Sequence, residues 1–90
     1  MNKELILKED TRINVISVSD KKNNNMFMSH NLNMTLNEYI GKSKQIPNIL
    51  NTEMKYISSF NGMTSTGNKF KCSLYQHFGQ DVDIIVGVID

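Results

Sequence analysis

Ninety residues with a mass of 10.3 kDa predict a single small domain over residues 1–90. The chain is 39% hydrophobic and 21% charged, a balance typical of a globular protein and not of a disordered, fibrous or membrane-spanning one. The net charge of +1 lacks the strong positive field with which nucleic-acid-binding proteins hold phosphates. Because a chain this short buries only about 60–65% of its unfolded surface, a deep catalytic cavity within one subunit is not expected.

Cysteine usage and the first residues indicate the compartment. Cys72 is the only cysteine, which excludes an intramolecular disulfide and a four-cysteine zinc site and favours a reducing environment. Only three apolar residues separate Glu4 from Lys8, too few for the core of a signal peptide, and no stretch is long enough to span a membrane. We therefore expect a cytoplasmic protein that has no membrane partner and needs no cofactor.

The composition also carries a bias. Twelve Asn, ten Ile and nine Lys accompany no Ala and one Arg, as happens when codons come from an AT-rich genome. The asparagines can therefore reflect mutation pressure, which weakens any argument that they read bases or sugars. Small AT-rich bacterial or phage genomes supply many accessory and inhibitor proteins, and this origin is an expectation for the chain.

The first third of the chain favours strands. Twenty β-branched residues without alanine suit a pleated sheet better than a helix. A short apolar run at residues 4–8 and alternation over residues 12–19 predict two strands, which a turn at residues 9–11 would join into a hairpin. The polar run DKKNNN at residues 20–25 predicts an exposed loop in which Asn can adopt positive φ.

Residues 26–30 predict another short strand. We expect Met26, Phe27 and Met28 to belong to the core, because small domains need every large apolar side chain they have. The alternative is a soft patch, since methionine suits adaptable binding surfaces.

One helix is predicted, over about residues 35–45. Thr35 and Glu38 have the spacing of a capping box, and Leu36, Tyr39 and Ile40 follow on one face. Gly41 and Pro47 should end this helix, and a further helical turn at residues 47–50 is an alternative.

After the helix, the apolar residues recur with a period of two, as in a strand. Strands are predicted at residues 54–60 and 69–77, joined by a polar loop at residues 61–68. A turn at Gly79 and Gln80 would start a final hairpin that pairs Leu74 with Ile85. Both faces of the final strand would then be apolar, which predicts a central strand with the core on one side.

These elements define an α+β domain, in which an antiparallel sheet of about five or six strands packs on one helix. The predicted function is a non-enzymatic protein-interaction module that binds and occludes a protein partner, and self-association into a homodimer is expected. If one helix cannot cover the second face of the final hairpin, another protein must cover it. The residues expected to bind the partner are Tyr75, Ile84, Val86 and Val88 on that face and Asn61, Met63, Thr64 and Thr66 in the loop.

Two other functions stay open. Nucleic acid or a nucleotide could bind Lys42, Lys44, Lys69 and Lys71 beside the 61–68 loop, whose backbone N–H groups could hold a phosphate. The loop does not have the spacing of a P-loop, and solvated surface lysines are commoner.

A small hydrolase or nuclease would use His77 and Asp81. Asp83 could join them around a metal ion and His30 could add a second imidazole, although the spacing of these residues is not specific. Cys72 and His77 lie five residues apart, so they point to opposite faces of a strand, and we expect a structural cysteine.

Overall fold

A computed structural model of the chain describes residues 4–89 and confirms the α+β class. Its strands are β1 (Glu4–Ile6), β2 (Arg12–Asp20), β3 (Asn25–Ser29), β4 (Met34–Thr35), β5 (Glu53–Met63), β6 (Lys69–Phe78) and β7 (Val82–Ile89), and helix α1 is Leu36–Lys42. The sheet has one strand more than the upper expectation, because the two residues of β4 add a short strand directly before the helix.

All strand pairs are antiparallel, and the order across the sheet is β1-β5-β6-β7-β2-β3, with β4 beside β2. The predicted final strand, β7, lies between β6 and β2. A strand in that position is flanked on both sides, and its apolar residues on both faces agree with it.

The predicted hairpin of the first two strands is wrong. Leu5 of β1 pairs with Met54 of β5, at the opposite side of the sheet from β2. A turn still forms, since the N–H of Thr11 donates to the carbonyl of Lys8 at 3.2 Å, but it links strands that are four positions apart. So short a link requires the sheet to curl strongly, so that β1 approaches the start of β2.

The core fills one face of this curled sheet, which we call the inner face. Its strand residues are joined by buried side chains of α1 and of the irregular chain that follows the helix. The buried apolar cluster consists of Leu7, Ile13, Ile16, Val18, Leu36, Tyr39, Ile49, Met54, Ile84 and Val86. Residues 32–50, which we call the covering segment, thus shield the inner face of β7 and β2 from solvent.

Helix α1 begins with the predicted capping box. The Thr35 hydroxyl accepts from the Glu38 N–H at 3.2 Å, and the Glu38 carboxylate accepts from the Thr35 N–H at 3.5 Å. The helix ends at Lys42, with Gly41 inside it, so the expectation that Gly41 stops the helix is wrong. Residues 47–50 form no helical turn, and there the Asn48 side chain accepts from the Leu50 N–H at 3.1 Å.

The last two hairpins differ from the prediction in length and register. Strand β5 continues to Met63, so the connection to β6 is five residues long instead of eight. The β6–β7 turn lies at Gln80 and Asp81, flanked by a hydrogen bond from the Gly79 N–H to the Val82 carbonyl at 2.9 Å. The pairing shifts by two residues, and because side chains alternate with a period of two, every side chain keeps its predicted face.

Candidate protein-interaction surface

The side of the sheet opposite the core, which we call the outer face, is also apolar. On β7, Ile85, Gly87 and Ile89 alternate with the buried Ile84 and Val86. The outward residues of the central strands do not pack against the buried cluster, and no described helix or loop contributes apolar side chains over them. Strand β7 is therefore apolar on both faces, but within residues 4–89 only its inner face is covered.

A contiguous group of side chains, which we call the outer patch, crosses four strands. Its members lie on neighbouring strands at paired or diagonal positions. They are Val15 on β2, Phe60 on β5, Phe70, Cys72 and Leu74 on β6, and Ile85 and Ile89 on β7.

Gly87 lies in the middle of the outer patch. A Cβ added there would meet Cys72 Sγ at 2.9 Å, Leu74 Cδ2 at 3.3 Å and Val15 Cβ at 3.3 Å. These three side chains therefore close over the glycine, and Cys72 is fully buried without any covering element. The centre of the outer patch is thus a closely packed, nearly flat surface and not a cavity.

Large apolar side chains surround this patch and extend into solvent. Met26 and Met28 on β3 are 68% and 69% exposed, and Phe78 at the end of β6 is 66% exposed. The expectation that both methionines belong to the core is wrong. They alternate with Phe27, which pairs with Val18 and packs against the core, so the pleat directs the methionines outward.

Charge on the outer face lies at the two ends of β2 and on the β1–β5 side, where Glu4, Glu53 and Lys55 face outward. Lys21 Nζ lies 3.1 Å from Asp83 Oδ1, but its hydrogen bond goes to the Gly79 carbonyl at 2.7 Å, so the contact with Asp83 is an ion pair without a hydrogen bond. Arg12 bonds to Asn33 at the other end of β2. Between these margins the outward residues of β2, β7 and β6 are apolar, Ser, Gln or Gly.

The residues expected to bind a partner on the final hairpin lie on the inner face. Ile84 and Val86 are 0% exposed, and Tyr75 and Val88 pack against the buried cluster. Ile84 and Val86 are therefore not accessible to a partner, whereas a partner contact at the partly buried Tyr75 and Val88 stays a prediction. The premise of the predicted partner surface was that a single helix is too small a cover, whereas the irregular chain around α1 adds Ile46, Ile49 and Leu50.

The other expected partner residues, Asn61, Met63, Thr64 and Thr66, are all exposed at the β5–β6 end. The tip is closed by its own hydrogen bonds: the Thr64 N–H donates to the Asn68 carbonyl at 2.8 Å, and the Gly67 N–H donates to the Thr64 carbonyl at 3.0 Å. The Asn68 N–H donates to the Thr64 hydroxyl at 3.0 Å. Three N–H groups that a phosphate would need are thus already in use.

The four lysines of the nucleic-acid hypothesis are exposed and belong to two separate regions. Lys42 is in the last turn of α1 and Lys44 follows the helix, whereas Lys69 and Lys71 lie on β6. Within the described part of the chain, none of the four lysine side chains forms a hydrogen bond or an ion pair. This arrangement is that of solvated surface lysines.

The residues of the hydrolase hypothesis are not gathered into one site. His77 borders a shallow groove with Glu4, Glu53 and Lys55, and Asp81 does not line that groove. His30 follows β3, which is three strand positions or about 14 Å from the strand of His77. Residues 4–89 contain no group of three or more His, Cys, Asp or Glu side chains that could hold a metal ion.

Cys72 and His77 lie on opposite faces of β6, as predicted. Cys72 faces outward beside Gly87, whereas His77 pairs with Ile84 on the inner side. The thiol is fully buried, which agrees with a structural cysteine.

Asp20 has a structural carboxyl group. The Asp20 carboxylate accepts from the Asn23 side chain at 2.9 Å and from the Asn23 N–H at 3.2 Å in the β2–β3 turn. The hydrogen bond from the Asn23 side chain, helped by backbone N–H groups and the charge of Lys22, lowers the pKa of Asp20 against the opposing effect of burial. Asn24 beside it adopts φ 57°, as predicted for this polar turn.

Comparisons with models of protein families, with curated proteins and with solved structures found no match to this chain. Among residues 4–89, the helix has neither the length nor the apolar run that crossing a membrane requires.

Proposed function

We propose that the protein is a non-enzymatic protein-interaction module, which binds a partner protein through its outer face and occludes the surface that it covers. The observation that carries this proposal is the outer patch, an apolar face with charge only at its margins and with Met26, Met28 and Phe78 around it. It supports the predicted function but moves the binding surface to the other side of the sheet.

The composition of this surface is that of an interface core. Interface cores are rich in aromatic residues and methionine and poor in Lys, Glu and Asp. Phe60, Phe78, Met26 and Met28 together expose on the order of 500 Å², more than scattered surface residues normally contribute. Complete burial of each such side chain would contribute about 1.5–3 kcal/mol to association.

The surface also suits occlusion better than ligand binding. Its centre is low, because Gly87 lets its neighbours close over the strand, and the two hollows that Phe70 and Phe78 help to line are open and lie at its ends. The exposed methionines at one side can adapt to an irregular partner. The partner would therefore present a broad apolar surface and lose access to it on binding.

The test is affinity capture from native cells, followed by mass measurement of the complex and a comparison of surface variants. Met28→Lys and Phe78→Lys place a charge on exposed residues of the outer face, and Gln45→Lys adds the same charge to an exposed residue of the covering segment. We expect one stoichiometric protein with the wild type and with Gln45→Lys, and its loss with the other two variants. Capture that is unchanged by Met28→Lys and Phe78→Lys would contradict the proposal.

A further inference from the structure

Strand β5 has an edge that its neighbour β1 covers only in part. Among the described residues, β1 pairs with residues 53–55 of β5, whereas β6 pairs with β5 on the other side up to Met63. Residues 57–63 therefore face no described strand on the β1 side. An edge of this kind presents backbone N–H and C=O groups with which another strand can pair.

This edge has few of the features that protect natural edges from pairing. Residues 57–63, ISSFNGM, contain no charge and no proline, and a bulge at Ile57 is the one irregularity. Three of the large exposed apolar side chains lie on this segment: Ile57 is 42% exposed, Phe60 43% and Met63 60%. By comparison, the free edge of β3 has five residues and follows a turn that contains Lys21 and Lys22.

We propose that a second copy of this chain pairs its own β5 with residues 57–63 in an antiparallel, two-fold symmetric ladder centred on Phe60. In that register Phe60 meets Phe60 of the second copy, Ser59 meets Asn61, and Ile57 meets Met63. Two-fold symmetry places identical segments against each other, so a charge near the centre would face its own copy. Because this segment carries no charge, two copies of it can pair without electrostatic repulsion. Each of its three exposed apolar residues then lies opposite an apolar residue of the second copy.

The size of the contact sets its strength. Three half-exposed side chains and the strand backbone would bury roughly 400 Å² per copy, about half of the 800 Å² of a standard interface. We therefore expect a reversible dimer whose population rises with concentration. This inference concerns the edge of the sheet and does not depend on the proposed function of the outer face, although pairing would join two outer faces into one continuous surface.

Paired charge variants test the register. Ile57→Lys combined with Met63→Lys places like charges opposite each other at both ends of the ladder, whereas Ile57→Lys combined with Met63→Glu places opposite charges there. Sedimentation equilibrium up to about 0.5 mM protein should show a dimer for the wild type and for the Lys/Glu variant. For the Lys/Lys variant, we expect association to weaken at least about tenfold.

A cysteine variant tests the symmetry axis. In the proposed register Phe60→Cys places two thiols at directly opposed positions, within the range of a disulfide. Mild oxidation should give a covalent dimer, whereas Met28→Cys, at a more exposed position on β3, should give little; the native Cys72 is buried.

A wild type that stays monomeric over this range, Lys/Lys and Lys/Glu variants that associate equally, or equal cross-linking of the two cysteine variants would overturn the inference. None of these results would change the effect of Met28→Lys on partner capture. A failure of the proposed β5 dimer can therefore be distinguished from a failure of the proposed partner binding by the outer face.

Discussion

The two faces of this sheet have similar side chains but different surroundings. On β7 the inward Ile84 and Val86 are 0% exposed beneath the covering segment, while the outward Ile85 and Ile89 are partly exposed. Alternating apolar residues thus identify a central strand but do not say which face the chain itself covers. That depends on residues 32–50, most of which form no regular structure and show no period in the sequence.

The strongest test of this comparison replaces neighbouring residues on opposite faces. Val86→Asp buries an unpaired charge, so we expect it to lower the free energy of unfolding by about 4 kcal/mol or more and to unfold the protein. Ile85→Asp places the same charge on the uncovered face, where a loss of about 1 kcal/mol is expected. Urea unfolding followed by circular dichroism measures both changes, and equal losses in the two variants would show that the faces are not different.

A smaller loss of stability is expected from a change in the covering segment. Thr35→Ala removes the hydroxyl that caps α1, the helix of the covering segment, and should lower the free energy of unfolding by about 1 kcal/mol. Thr35→Ser keeps the hydroxyl and serves as the matched control. The cap would be unimportant if the alanine and serine variants showed the same urea midpoint.

The smallest expected effect is the pH-dependent contribution of Asp20 to stability, at the polar end of the inner face. Because the pKa of Asp20 is lowered in the folded state, its carboxylate stabilises the fold above the unfolded pKa near 3.8, and this stabilisation is lost as the pH falls through the lower folded value. We expect the stability advantage of the wild type over Asp20→Asn to shrink between pH 6 and pH 2. Urea midpoints across that range measure it, and Asn23→Ala should remove much of the same pH dependence. An advantage that stays constant down to pH 2 would contradict this account.

Much of the fold follows from local sequence signals. The capping box at Thr35, the positive φ of Asn24 and the alternation in β2 and β7 each depend on residues a few positions apart, and the structure shows all three. In the final hairpin, the predicted register was wrong but the predicted face of each side chain was correct. Its predicted register was two residues from the observed one, yet the faces were right, because two is the period of a strand.

The features that sequence reasoning missed depend on distant parts of the chain. The partner of β1 is β5, about 50 residues away, and nothing near Leu5 indicates that choice over the adjacent β2. The burial of Val86 was missed for the same reason, since it lies in one buried cluster with the distant Leu36 and Ile49. A usable signal for the outer surface did exist in the alternation of Met26 and Met28 with Phe27, which predicts two outward methionines once residues 25–29 form a strand.

The pairing of β2 with β7 also constrains how the polypeptide can fold while it is being made. Ile16 and Val18 pair with Val86 and Ile84, which the ribosome adds 70 and 66 residues later. At roughly 5–20 residues per second, this delay is several seconds. During this interval β2 can pair with β3 and β4, but its edge toward β7 stays open and its apolar side chains stay partly uncovered in the nascent chain. Chaperones that shield such segments would therefore act on this protein before its hydrophobic interior can close.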